Sequence, residues 1–167
     1  MERVLVIGSP GAGKSTFARA LRDMTGLPLY YLDCIWHKPD GTNVSRPEFD
    51  AGLQAILRQD RWIIDGNYQR TLAWRLEYCD TVFLLDYPLE VCLAGAEARI
   101  GTKREDLPWV EESFDPEFRQ YILDFPREQM PDIRALLARW QDRRKIVTLR
   151  TRQQGEDWLR RFAAGQE

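Results

Sequence analysis

The chain has 167 residues, of which 44% are hydrophobic and 30% charged. That suits one globular domain burying roughly two-thirds of its unfolded surface, and is too apolar for a disordered chain. Its 24 basic and 26 acidic residues leave a formal charge of −2, which argues against a dedicated nucleic-acid binder, whose domain carries a net basic charge or a basic stripe.

Three cysteines with no C-x-x-C pair speak against a disulfide framework or a cysteine zinc site. No apolar run approaches the ~20 residues of a membrane span. Met1-Glu2-Arg3 leads into a short apolar run rather than a signal peptide, so a soluble, cytoplasmic protein is expected.

Short apolar runs alternate with helical patterns, the signature of an α/β parallel sheet. The runs Val4–Ile7, Leu29–Leu32, Trp62–Ile64, Thr81–Leu85 and Lys145–Leu149 are nearly continuous in apolar residues, as strands buried on both faces should be. Between the first two lies a helix over Lys14–Thr25, stopped by Gly26-Leu27-Pro28. Ser45-Arg46-Pro47-Glu48 reads as a capping box opening a helix to about Gln59. Further helices are expected over Leu89–Ile100, from Pro116 behind an Asp115 cap, over Met130–Arg143 and over Glu156–Ala164. No linker divides the chain, so residues 1–167 form one domain. Segments 34–61 and 101–128 are long connections, which in compact domains are often functional inserts.

Gly8-Ser9-Pro10-Gly11-Ala12-Gly13-Lys14-Ser15 matches G-x-x-x-x-G-K-[ST] at every fixed position, between a strand pattern and a helix pattern. Gly8, Gly11, Ala12, Gly13 and Thr16 complete a loop whose N–H groups can surround phosphates at a helix N-terminus. Lys14 is placed to reach the β- and γ-phosphates and Ser15 to ligate Mg²⁺. ATP and Mg²⁺ are therefore the expected ligands. The guanine-reading N-K-x-D and the transporter signature L-S-G-G-Q are both absent, which leaves a small kinase-like unit.

Trp62-Ile63-Ile64-Asp65-Gly66-Asn67-Tyr68 puts a carboxylate, Asp65, where a strand ends, suited to hold Mg²⁺ through water. Arg70 reads either as a clamp on an acceptor phosphate or carboxylate or as a surface residue of the next helix. Asp33 is expected to end the second strand at the sheet edge where ligands of open α/β sheets bind, and so to orient the acceptor and take its proton. Trp36 reads as an acceptor-stacking ring or a loop anchor. His37 is the single histidine.

These motifs resemble a small P-loop kinase-like family named DNA topology modulation proteins. The resemblance runs through the phosphate loop, Gly26-Leu27-Pro28-Leu29, W-I-I-D-G-N-Y, Arg70-Thr71-Leu72, the Asp80–Asp86 strand and Phe125-Pro126-Arg127. Adenylate kinase is similar around Asp65–Thr71, with one residue fewer. The resemblance implies a P-loop NTPase fold with five parallel strands in order 2-3-1-4-5, an acceptor-binding insert within 34–61, and a short mobile lid opening segment 101–128. By likeness to shikimate and gluconate kinases, Asp33 would contact the acceptor hydroxyl. By likeness to adenylate kinases, Arg99 and Arg104 would close onto the transferring phosphoryl group. The expected activity is ATP-dependent phosphoryl transfer to a nucleotide or small-molecule acceptor. A nucleotide-dependent switch acting on DNA topology or a protein partner is the alternative that the family name implies.

Overall fold

The apolar runs become one sheet. In a computed structural model, which describes residues 1–166, β1 (Arg3–Gly8), β2 (Leu29–Tyr31), β3 (Trp62–Asp65), β4 (Thr81–Leu85) and β5 (Lys145–Leu149) lie in the order β2-β3-β1-β4-β5. Every neighbouring pair is parallel, as expected for strands joined by helical crossovers.

Eight helices cover the sheet: α1 (Lys14–Thr25), α2 (Leu32–Trp36), α3 (Arg46–Leu57), α4 (Leu72–Tyr78), α5 (Leu89–Glu97), α6 (Pro116–Glu128), α7 (Met130–Ala138) and α8 (Arg152–Ala163). The period of two along each strand sends alternate side chains to opposite faces. Leu5, Ile7, Trp62 and Ile64 pack with Phe49 and Leu53 of α3, Leu76 of α4 and Ile133 of α7. Val4, Val6, Ile63 and Phe83 pack with Phe17 and Leu21 of α1, Cys92 of α5 and Trp158 of α8. Each such side chain, fully buried, contributes about 1.5–3 kcal/mol of hydrophobic stabilisation.

Full burial on both faces holds for β3, for β4 and for β1 from Val4 onward. It fails at the sheet edges, where β2 is half-buried throughout and β5 is buried only at Leu149. An edge strand has one neighbour, and helices cover it less completely.

The helix starts obey their caps. Ser45 Oγ accepts from Glu48 N (3.3 Å) while Glu48 Oε2 accepts from Ser45 N (2.8 Å), and Asp115 Oδ1 accepts from Glu117 N. The last helix starts four residues earlier than expected. Thr151 caps it through Gln154 N at 3.2 Å, and Gly155 sits buried inside it. Two other helices are shorter than expected: α5 stops at Glu97 and α7 at Ala138. The second strand also ends early, at Tyr31, because Leu32 begins α2. Asp33 is thus in a helical first turn rather than on a strand end. Five residues are too few to display a helical period.

Among the described residues, no helix is long and apolar enough to cross a membrane.

Candidate functional site

The loop between β1 and α1 is pressed onto its neighbours at Gly8 and Gly11, where a Cβ would strike the carbonyls of Leu85 and Cys92. Ser9 N donates to Leu85 O (3.1 Å). Gly11, at φ 79°, lies so near the Cys92 carbonyl of α5 that a Cβ would collide with it. Gly13 has open space around it but a φ of 89°, a left-handed conformation that favours glycine. The first helical bond runs from Phe17 N to Gly13 O (3.0 Å). The N–H groups of Lys14, Ser15 and Thr16 therefore stand outside the helical ladder, at the positive end of the helix dipole.

Lys14 Nζ donates to the carbonyls of Gly8 (3.2 Å) and Ser9 (3.1 Å). Burial pushes its ammonium below the usual lysine range, with Asp65 opposing that shift and Arg99 adding to it. The Asp65 carboxyl, at the end of β3, is pushed up to about 7 by burial, against the pull of Lys14 and a Ser15 hydrogen bond and with the repulsion of Asp33 and Asp106. Its Oδ1 is buried without a hydrogen-bond partner. A hydroxyl beside an orphaned carboxylate oxygen at a phosphate loop is an all-oxygen donor set that fits Mg²⁺, which takes few protein ligands and completes its shell with phosphates and water.

Three residues without an assigned role in the sequence build the wall between β1 and β3. Asn67 grips the phosphate loop twice: its Oδ1 accepts from Gly8 N (3.0 Å) and its Nδ2 donates to Gly8 O (2.8 Å). Tyr68, at φ 36°, stacks on Phe49 with centroids 5.1 Å apart and donates its hydroxyl to Asp33 Oδ1 (2.7 Å). Burial, then the Asp33 charge, holds that phenol well above the usual tyrosine range. Arg75 is 0% exposed and donates to the carbonyls of Gly66, Asn67 and Tyr68, which fixes the turn. Burial pushes its guanidinium down to about 9. The W-I-I-D-G-N-Y run was the available signal, but the spatial partners of Asn67 and Tyr68 lie 59 and 35 residues away.

Arg99 and Arg104 both flank the loop, in different settings. Arg99 is largely buried, which pushes its guanidinium below the usual range with help from Arg104. It lies 5.9 Å over the Phe118 ring, and its Nε is buried without a partner. Arg104 is clasped by Asp106 (3.1 Å) and Glu111 (3.0 Å). The segment after Arg99 is thus not a freely solvated loop. Asp106 is buried, and Glu105 is tied to Arg22 of α1 at 2.9 Å and to the Tyr31 hydroxyl at 3.2 Å.

Two pockets meet at the phosphate loop. The smaller, of about 440 Å³, runs over Gly11–Thr16 toward Tyr87, Arg152 and Gly155. The larger, of about 960 Å³, opens past Asp33 and Asp65 to Trp109, Phe118 and Tyr121. Gly11, Lys14, Ser15, Arg99, Arg104 and Asp106 line both.

Two expected acceptor residues stand outside the larger pocket. Arg70 faces away, with its guanidinium forked onto Asp50 at 2.5 and 3.1 Å. Trp36 packs edge-on to Phe49 at 5.8 Å, a loop anchor. Of segment 34–61 only His37 reaches the pocket, 5.0 Å edge-on from Trp109. Segment 101–128 contributes far more of its wall, from Arg104 to Tyr121.

No protein-family model matches the chain, and no curated protein matches it. Solved structures do. A shikimate kinase from Bacteroides thetaiotaomicron aligns with a TM-score of 0.63 at 16% identity, covering 98% of this chain and 97% of that one. A sugar kinase from Janibacter sp. gives 0.53 at 19% identity, with 98% and 93% covered. A gluconokinase from Sinorhizobium meliloti gives 0.53 at 14%, with 98% and 94% covered. At these identities the likeness is one of fold: five parallel strands in the same frame, flanked by helices.

Proposed function

We propose that this protein is an ATP-dependent phosphotransferase acting on a hydroxyl group. One observation carries the reading: a complete phosphate loop forms the wall shared by two pockets, one on each side of Lys14. A nucleotide switch has no use for the second chamber. A transferase needs a donor and an acceptor facing each other across one phosphoryl group.

ATP lies in the smaller pocket, its phosphates on the Gly11–Thr16 backbone and on Lys14. Ser15 and Asp65 would hold Mg²⁺, which would neutralise charge on the triphosphate. Phosphate contact draws Lys14 Nζ off the two carbonyls it now holds. Asp33 faces the acceptor hydroxyl, with Tyr68 fixing its orientation by the 2.7 Å hydrogen bond. The hydroxyl oxygen forms a bond to the γ-phosphorus while the bond from that phosphorus to the β–γ bridging oxygen breaks. The bridging oxygen keeps the electron pair and leaves on ADP, and the hydroxyl proton passes to Asp33. Arg99, whose Nε has no partner, supplies charge to the transferring oxygens. Arg104 can join it only by leaving Asp106 and Glu111.

The test is ATP consumption with Mg²⁺ across nucleoside monophosphates, nucleosides, sugars and hydroxy acids. Transfer to one class, abolished in Lys14→Ala, supports the reading. An absence of ATP binding to the wild-type protein overturns it.

A further inference from the structure

The charges of the two chambers are sharply unequal, and that asymmetry bears on the acceptor. All the cations that reach the larger pocket lie on the shared wall: Lys14, Arg99 and Arg104. Beyond that wall, no Lys or Arg lines it among the described residues, whereas Asp33, Asp65, Glu111, Glu112 and Asp115 do. The one cation expected there from sequence, Arg70, is turned outward onto Asp50. An acceptor phosphate or carboxylate entering this chamber would find no counter-charge except the groups that the nucleotide itself requires. It would also meet carboxylates, and like charges at close range are costly.

The same wall offers what a cation needs. Glu112 has neither an ion pair nor a hydrogen-bond partner among the described residues. Asp106 is not available in the same way: its Oδ1 lies 3.6 Å from Arg19 Nη1 and its Oδ2 3.1 Å from Arg104 Nη1. Aromatic rings line the chamber: Trp109 is 36% exposed, and Phe118 and Tyr121 are stacked 6.4 Å apart. The Arg99 guanidinium lies over the Phe118 ring, which leaves the exposed rings of Trp109 and Tyr121 to face a ligand cation.

Resting on the phosphotransferase reading, we infer that the acceptor is a polyhydroxylated amine: a sugar-like molecule whose ammonium group sits among Glu112, Asp115 and the aromatic wall while one hydroxyl faces Asp33. The carboxylates keep the amine protonated and so without a lone pair. The phosphoryl group therefore goes to oxygen, with the bonds made and broken as above.

The experiment compares three probes on one carbon skeleton: glucosamine, glucose and gluconate. Each is titrated calorimetrically, at low ionic strength, into protein saturated with Mg²⁺ and a non-hydrolysable ATP analogue. Glucosamine should bind about tenfold tighter than glucose, from one partly solvated ion pair and one cation–π contact, with gluconate weakest. Glu112→Gln should reduce the glucosamine preference about threefold while leaving the affinity for the ATP analogue unchanged. Equal affinity, a preference for gluconate, or no binding of any probe to a protein that binds the ATP analogue would overturn the inference and leave the phosphotransferase reading standing. If the ATP analogue itself fails to bind, the phosphotransferase reading falls, and this inference with it.

Discussion

The two chambers on either side of Lys14 are built by different means. The smaller is centred on a backbone cradle: consecutive residues Gly11–Thr16 at a helix N-terminus, with Gly8 and Gly11 letting β4 and α5 approach, and side chains such as Tyr87 and Arg152 farther out. The larger is made of side chains from four separated stretches: Tyr31–His37, Asp65–Gln69, Leu107–Asp115 and Phe118–Gln129. A backbone cradle recognises a phosphate chain whatever else the molecule carries, because every residue supplies the same N–H group. A chamber of side chains selects by charge and shape, and can be changed one residue at a time.

The sharpest way to break this division is at its shared wall. Lys14→Ala should lower phosphoryl transfer on the order of 10²–10³-fold, the loss typical of one donor directed at developing charge. The fold should persist, since Lys14 bonds only to two carbonyls of its own loop. Steady-state ATP turnover and thermal unfolding measured together check this. Turnover within a few-fold of wild type would mean that the loop does not hold the transferring phosphate.

That asymmetry of construction also governs what the sequence reveals. The phosphate loop is legible in eight consecutive residues, because a backbone cradle needs its glycines and lysine at fixed spacing. The sheet order follows from a resemblance, and the inner strands from continuous apolar runs. The larger chamber is hardly legible. Asp33 was singled out for the right edge of the sheet but on a strand end that does not exist, since α2 begins at Leu32. Arg70 reads as a clamp from the chemistry of its guanidinium and Trp36 as a stacking ring from its place beside Asp33, and both have partners elsewhere. Asn67 lies within the W-I-I-D-G-N-Y run but takes no role from it, and Asp106 belongs to no motif. Their roles come from Gly8, Arg19 and Arg104, which only folding brings near.

Arg75 holds the acceptor side from behind, and its removal should have the next largest effect. Arg75→Met leaves the carbonyls of Gly66, Asn67 and Tyr68 buried without their donor. It should destabilise the protein by about 3 kcal/mol, read as a lower urea midpoint. If the two chambers are independent in construction, the acceptor KM should rise more than the nucleotide Kd in the folded fraction. Equal losses on both sides would show that the Asn67 grip on Gly8 couples them.

Asp33→Asn attacks the acceptor side alone. The amide keeps a partner for the Tyr68 hydroxyl but cannot take a proton, so turnover should fall about 10²-fold with nucleotide affinity unchanged. Tyr68→Phe should cost less, about 1 kcal/mol of positioning. It should act on kcat, because the hydroxyl touches Asp33 and supports no other contact.

The smallest effect belongs to Arg70→Ala, and it separates placement by sequence from placement by fold. An arginine that clamps an acceptor phosphate or carboxylate would raise the acceptor KM severely when lost, because a bidentate charged contact is among the strongest available to a protein. Here the guanidinium fork is already satisfied by Asp50, with both side chains well exposed, and exposed pairs contribute little. Arg70→Ala should therefore leave the melting temperature, nucleotide Kd and acceptor KM indistinguishable from wild type. A large rise in acceptor KM would mean that Arg70 leaves Asp50 and swings inward when the acceptor binds. The larger chamber would then hold a cation of its own, and the charge asymmetry between the chambers would be a property of the empty protein alone.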